Sequence, residues 1–298
     1  MSAQVTKALL LILALLGCGV MLGANPPPPS STTLSDAARY LVQHNCPDGR
    51  PALSDCAATP ARPGPQPYRR VDWSGAQISD AVLMPDGTVV QTFDFASSFE
   101  AFDVRDPGDG GDAIRVGPWG VAIYLTQDPG GGRQYMQGVD CPAGGGWLLW
   151  RDTPRGNWME AEVQVAITRA ADECPQRWNW SATRWRLADM AWSWRDNRGG
   201  TGEVTRATIV SEHYGGRYRE TADHMERFFF AERLGKVRWE RWEQRGRSTR
   251  GDLDAMAAQT ATRCPAGPEP APGPTWLRVD CRHWLSFDLR PGQSIPWP

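Results

Sequence analysis

The 298-residue chain predicts an all-β fold: an antiparallel two-sheet β-sandwich, jelly-roll-like, with short helices near its N- and C-terminal ends. Three observations carry this. Apolar and polar residues alternate over many short stretches, tight turns bearing Gly and Pro separate them, and helical patterning is confined to the two ends. The clearest alternation is Met159, Ala161, Val163, Val165 and Ile167 against Glu160, Glu162, Gln164 and Thr168, which reads as a half-buried strand.

The elements follow in order. Ser35 is placed to cap a helix running to about His44, with Leu34, Ala38, Leu41 and Val42 on one side, and Cys46-Pro47 stops it. Residues 57–67 are a Pro-rich connection. Ala81 to Leu83 and Thr88 to Phe95 flank the turn "MPDGT". Trp119 to Thr126 and Gln134 to Asp140 form the next pair across "QDPGGGR", and Trp185 to Trp194 pairs with Val204 to His213 across "RDNRGGTG". Asp252 to Thr262 is Ala-rich and helical, and Trp276 to Phe287 is a final strand. No repeat of 20–50 residues is present.

The N-terminus sets how the cysteines are read. Lys7 precedes the apolar run Ala8 to Leu16, which is an export signal and too short for a comfortable membrane span. Leu15-Leu16-Gly17-Cys18 resembles the lipobox of bacterial lipoproteins, with Leu16 standing where a small residue is usual. That resemblance implies a signal over 1–18, lipidation of Cys18, and attachment to the membrane through the lipid alone. A Pro-rich tether then covers 19–33, and 34–298 is one domain. Cleavage near Ala24 and an uncleaved anchor through Ala24 are the alternatives. The implied location is the outer membrane as a lipoprotein, or the periplasm or exterior. Six cysteines remain, an even set in an exported chain, which reads as three disulfides. Fifteen connectivities are open, and the pairing with modest loops is Cys46–Cys56, Cys141–Cys174 and Cys264–Cys281.

Composition narrows function. The net charge of −2 supplies no basic field for nucleic acid. All but two of the 32 basic residues are Arg, and Trp occurs 15 times. Guanidinium groups pair bidentately with carboxylates and stack on rings, and Trp suits both cores and sugar-facing surfaces. No HExxH, GxSxG or P-loop motif is present, and His44, His213 and His283 are dispersed. The layout and aromatic content loosely resemble the concanavalin-like β-sandwich proteins, which bind or cleave glycans, although the E-x-D-x-x-E run of their glucanase members is absent.

The stretch "DHMERFFFAERLGKVRWERWEQ" holds the main candidates. As a hairpin turning at Arg233 to Lys236, it sets Phe230 opposite Trp239, Phe228 opposite Arg241 and Glu226 opposite Glu243. His224 joins Glu226 and Glu243 on that face, a possible acid–base set for a glycoside hydrolase or polysaccharide lyase. Arg241, Phe228, Phe230 and Trp239 form a sugar platform beside them. Met190, Trp192 and Trp194 share one face of another strand, so Trp192 and Trp194 extend the expected ligand surface. Asp103, Asp106, Asp109 and Asp112 lie at three-residue intervals in a Gly-rich loop, the oxygen-rich setting Ca²⁺ needs; no other cofactor is implied.

The expected function is therefore binding of a carbohydrate or cell-envelope glycan on an aromatic, Arg/Glu-lined sheet face. The alternatives are a glycan-cleaving enzyme using Glu226 and Glu243, and a structural envelope lipoprotein whose aromatics are all core.

Overall fold

The structure, a computed structural model, describes residues 33–61, 68–74, 78–83, 87–94, 111–127, 133–141, 145–153 and 155–288. Cys18 and the tether lie outside these. Among the described residues the fold is all-β and antiparallel apart from one short parallel strand pairing and two isolated parallel bridges, with two α-helices.

The chain opens with α1 (Leu34–Leu41). Its cap is Thr33 rather than Ser35: the Thr33 hydroxyl accepts from the Asp36 amide at 3.2 Å. Strands β1 (His44–Asn45) and β2 (Thr59–Pro60) pair with each other. Next come β3 (Arg69–Val71), β4 (Ile78–Leu83), β5 (Val89–Asp94), β6 (Gly111–Gly117), β7 (Gly120–Gln127), β8 (Arg133–Gly138) and β9 (Trp147–Trp150). Three long neighbours follow, β10 (Met159–Thr168), β11 (Asn179–Asp196) and β12 (Thr201–Gly215). The chain then runs through β13 (His224–Ala231), β14 (Gly235–Gln244), α2 (Leu253–Arg263), β15 (Trp276–His283) and β16 (Ser286–Asp288).

From β11 the hydrogen-bonded path passes through β10, β8, β7, β6, β5, β4, β3 and β16, and so returns to β11. Strands β12 to β15 extend from the other edge of β11. The main core lies between α1, β7 and β9 on one side and Trp185, Ile209, Phe228 and Phe230 on the other. The opposite face of β11–β14 is also covered: Trp192, Val210 and Phe229 pack with Leu285 and Phe287. Burial on both faces explains the run Phe228-Phe229-Phe230, whose middle ring serves one core and whose outer rings serve the other.

Three expectations are corrected. The hairpin register is shifted by two residues, so Phe228 faces Trp239, Glu226 faces Arg241 and His224 faces Glu243. A bulge between Phe229 and Phe230 and a left-handed Arg233 (φ 63°) produce the shift. Because the shift is even, those side chains keep their faces, while Val237 moves to the second core. The turn is tied to the helix segment by Arg233 N–H to Arg39 O (2.6 Å) and His44 N–H to Arg233 O (2.8 Å). A β-carbon at Gly235 (φ 71°) would lie 3.0 Å from the Leu41 carbonyl, so this contact requires Gly.

Strand β10 does not keep one apolar side. Val163 is buried, but Ala166 and Thr168 are also buried and Ile167 is 55% exposed. Val165 pairs with both Asn179 of β11 and Gly138 of β8, and the buried side changes where the strand changes partner. The expected final strand is two: β15 pairs with β14, and after the buried Trp284 and Leu285, β16 pairs with β3 and in parallel with β11.

The six cysteines pair as Cys46–Cys56, Cys141–Cys174 and Cys264–Cys281, with Cα separations of 5.6, 5.7 and 6.0 Å. Such bonds are consistent with an exported chain. Among the described residues no helix is long and apolar enough to cross a membrane.

Arg70 joins the sheet's two ends to the hairpin turn. It is 1% exposed and donates to the carbonyls of Trp284 (3.0 Å), Leu234 (2.8 Å) and Lys236 (2.8 Å). Arg70→Met is expected to cost about 3 kcal/mol, since buried carbonyls lose charge-assisted donors. Urea unfolding measures this, and a loss under about 1 kcal/mol would show that the carbonyls find other partners.

Candidate functional site

An open cleft of about 620 Å³ lies where β9, β10, the start of β11, the end of β12 and the start of β13 converge. Its aromatic side comes from Trp147, Trp178 and Trp180, all half-buried. Trp178 stands just before β11 and Trp180 is its second residue. The guanidinium of Arg217 lies 4.5 Å from the Trp180 ring centre while pairing with Glu162 at 2.7 Å. Trp147 donates its indole N–H to Ser181 Oγ (3.3 Å) and meets His213 edge-on at 4.4 Å.

The polar side comes from β13 and its approach. His224 Nδ1 lies 2.6 Å from Asp223 Oδ1. The imidazole covers Gly215 so closely that a β-carbon there would have no room. Glu226 accepts from Trp239 Nε1 (3.1 Å) and Arg241 Nη1 (2.8 Å). Arg241 donates through Nε to Glu243 (2.9 Å), which also pairs with Arg250 (3.0 Å) and is 2% exposed. Glu226 and Glu243 are thus joined through one guanidinium, and only Glu226 lines the cleft.

His213 also lines the cleft but is 1% exposed. Ser211 uses its one hydroxyl hydrogen on the Leu149 carbonyl (2.5 Å), so at 2.8 Å it accepts from His213 Nε2. Nδ1 is then the bare nitrogen. Burial pushes the imidazole down to about 3, only partly opposed by Glu212.

Beside the cleft, on the side of β11 that Trp180 shares with Arg184, charges alternate from strand to strand. Arg184 contacts Glu212 (2.5 Å), Glu212 contacts Arg227 (2.7 Å), Arg227 contacts Glu240 (3.3 Å), and Glu240 contacts Arg238 (2.7 Å). Burial alone would raise both carboxyls. The arginines outweigh it, Arg227 and Arg184 at Glu212 and Arg238 and Arg227 at Glu240, and hold both below the usual carboxylate range. Burial, with Glu212 beside it, holds the Tyr214 hydroxyl above its usual range.

The structure brings His224 and Glu226 to the cleft, with Arg241 and half-buried Trp239 behind Glu226. Phe228 (4% exposed) and Phe230 (1%) lie in the main core, and Trp192 (1%) packs in the second core with half-buried Trp194 at its rim. Asp103, Asp106 and Asp109 fall outside the described residues, and Asp112 pairs with Lys236 at 2.6 Å. Among the described residues no group of three or more His, Cys, Asp or Glu is placed to hold a metal. Sequence reasoning missed Trp147, Trp178 and Trp180 as a group. The i, i+2 spacing of Trp178 and Trp180 was a visible signal, whereas the approach of Trp147 from β9 was not.

No protein family, curated protein or solved structure matches the chain.

Proposed function

We propose that this is an exported protein, anchored to the cell envelope through lipidated Cys18, that binds a carbohydrate or envelope glycan in the tryptophan cleft. The observation that carries the reading is that Trp147, Trp178 and Trp180, from two parts of the chain, line one open cleft together with Glu226, Asp223 and His224. Indole faces stack on the C–H faces of sugar rings, and the polar groups take hydroxyl hydrogen bonds. Binding is favoured over cleavage because an acid–base pair must face the scissile bond together. Here Glu243 is buried beneath Arg241 and Arg250, away from the cleft.

Titration of the full chain with a panel of neutral and envelope oligosaccharides, read by calorimetry, tests the proposal. Saturable binding is expected, weakened about tenfold by Trp178→Ala or Trp180→Ala with thermal stability little changed. Absence of saturable binding across the panel would overturn the reading.

A further inference from the structure

A second cleft of about 590 Å³ lies between residues 186–193 of β11 and the loop 265–269. His283 and Trp192 line it. The loop is held from below by Arg238 Nη2 to Pro265 O (2.9 Å), by Arg278 to the carbonyls of Pro265 (3.2 Å) and Cys264 (3.3 Å), and by the Cys264–Cys281 disulfide. Arg186 pairs with Glu269 across the opening. Gly267, on the cleft wall, leaves so little space behind it that a β-carbon would lie 2.7 Å from Glu240 and 3.2 Å from Arg238.

Charge and hydrogen bonding are both incomplete here. The connected network contains Arg184, Arg227, Arg238 and Arg278 against Glu212 and Glu240, none of these side chains is more than 17% exposed, and the Arg186–Glu269 pair stands apart from it. Two positive charges are therefore uncompensated in a poorly solvated region, where an unpaired charge is costly. Two residues of the lining hold a buried polar atom without a partner, Arg186 Nε and His283 Nδ1, and Arg238 Nη1, likewise without one, lies behind the Gly267 wall. Arg238 and His283 are cross-strand partners, and His283 lines the cleft. His283 Nε2 lies 3.2 Å from the Ser193 carbonyl, which can only accept, so Nε2 carries the hydrogen and Nδ1 is a bare acceptor. Burial, aided by Arg238, pushes this imidazole down to about 3 and keeps it neutral at ordinary pH. Just beneath its surface the cleft therefore holds one guanidinium donor, on Arg186, and one acceptor that needs a hydrogen, on His283, while the Asp189 carboxylate on the same lining is paired with Arg155.

We propose that this second cleft binds hydrogen phosphate, an oxyanion that keeps one protonated oxygen at neutral pH, with Arg186 donating to its oxygens and His283 Nδ1 accepting its hydroxyl. The site is independent of the glycan reading. A sulfate has no hydroxyl to give His283 at neutral pH, so the same site discriminates between the two anions.

The test uses the full chain at fixed ionic strength, titrated separately with inorganic phosphate, a hexose phosphate, sulfate and chloride, and followed by thermal shift and calorimetry. Saturable stabilisation by phosphate is expected, with sulfate and the hexose phosphate, which is mainly a dianion without a hydroxyl at neutral pH, at least about tenfold weaker and chloride inert. Hexose phosphate binding as tightly as phosphate would overturn the role given to His283. Arg186→Lys keeps the charge beside Glu269 but removes Nε, and is expected to weaken phosphate about tenfold. His283→Gln keeps a donor for Ser193 and is expected to bring phosphate down to the affinity of sulfate. Phosphate acting no differently from chloride, sulfate binding as tightly as phosphate, or unchanged affinity in Arg186→Lys would each overturn the proposal.

Discussion

Lowering the pH from 7 to 5 is expected to cost the fold about 4 kcal/mol, well before any carboxylate is protonated. His213 and His283 each hold their imidazole at about 3 against 6.5 in the unfolded chain, because both are buried. Below 6.5 the unfolded chain binds protons that the folded chain refuses. Stability is therefore full above 6.5 and falls as the pH drops toward 3, by about 1.4 kcal/mol per unit for each imidazole. Between pH 7 and 5 that is about 2 kcal/mol per residue. His44, lowered chiefly by burial, acts in the same direction. Glu212 and Glu240 behave differently: their folded values lie below the usual range, so their contribution is full above about 4.5 and is lost as the pH falls from there through the depressed values. Urea unfolding at pH 7, 6 and 5 measures the loss. A change under about 1 kcal/mol would mean that the imidazoles are protonated in the folded state.

Arg227→Met is expected to destabilise the protein by about 3–5 kcal/mol. Arg227 is 1% exposed and stands between Glu212 (0%) and Glu240 (0%), so its removal takes the bridging donor from two buried carboxylates, leaving Glu212 with Arg184 and Glu240 with Arg238 and Arg278. Arg245 provides the contrast. Its contact with Asp254 is shorter, 2.6 Å, but the two side chains are 56% and 67% exposed, and Arg245→Met is expected to cost less than about 1 kcal/mol. Paired unfolding curves for the two variants separate burial from distance as the source of the effect. Equal losses would contradict the assignment.

Much of the architecture was legible because strand periodicity needs only local information. The faces of the hairpin were readable from alternation alone, and they survived a register shift caused by Arg233 and the bulge at Phe229/Phe230. The bulge itself depends on how α1 holds the turn, a contact between residues some 190 positions apart. Strand β10 shows the limit of periodicity. Its sequence alternates throughout, yet its buried side changes at Val165 because the strand passes from one neighbour to another. The candidate site was legible only in part. His224 and Glu226 belong to one hairpin and could be placed by local geometry, whereas Trp147 reaches the same cleft from a strand 77 residues before His224. The row Arg184, Glu212, Arg227, Glu240 takes one residue from each of four strands, and no single stretch of sequence contains its pattern.

The position of β16 also governs the order in which the molecule can be assembled. Strand β3 has β4 on one side and only β16 on the other, and β16 in turn reaches β11. As the chain emerges from N- to C-terminus, Arg69–Val71 must wait through more than two hundred residues before Ser286–Asp288 arrive to seat them. Hairpins such as β11–β12 and β13–β14 can form as they emerge, but the ring closes only after Phe287 has emerged. Native closure is therefore a late event, with high-contact-order kinetics and an interval in which β3–β5 is open to any chaperone that meets it.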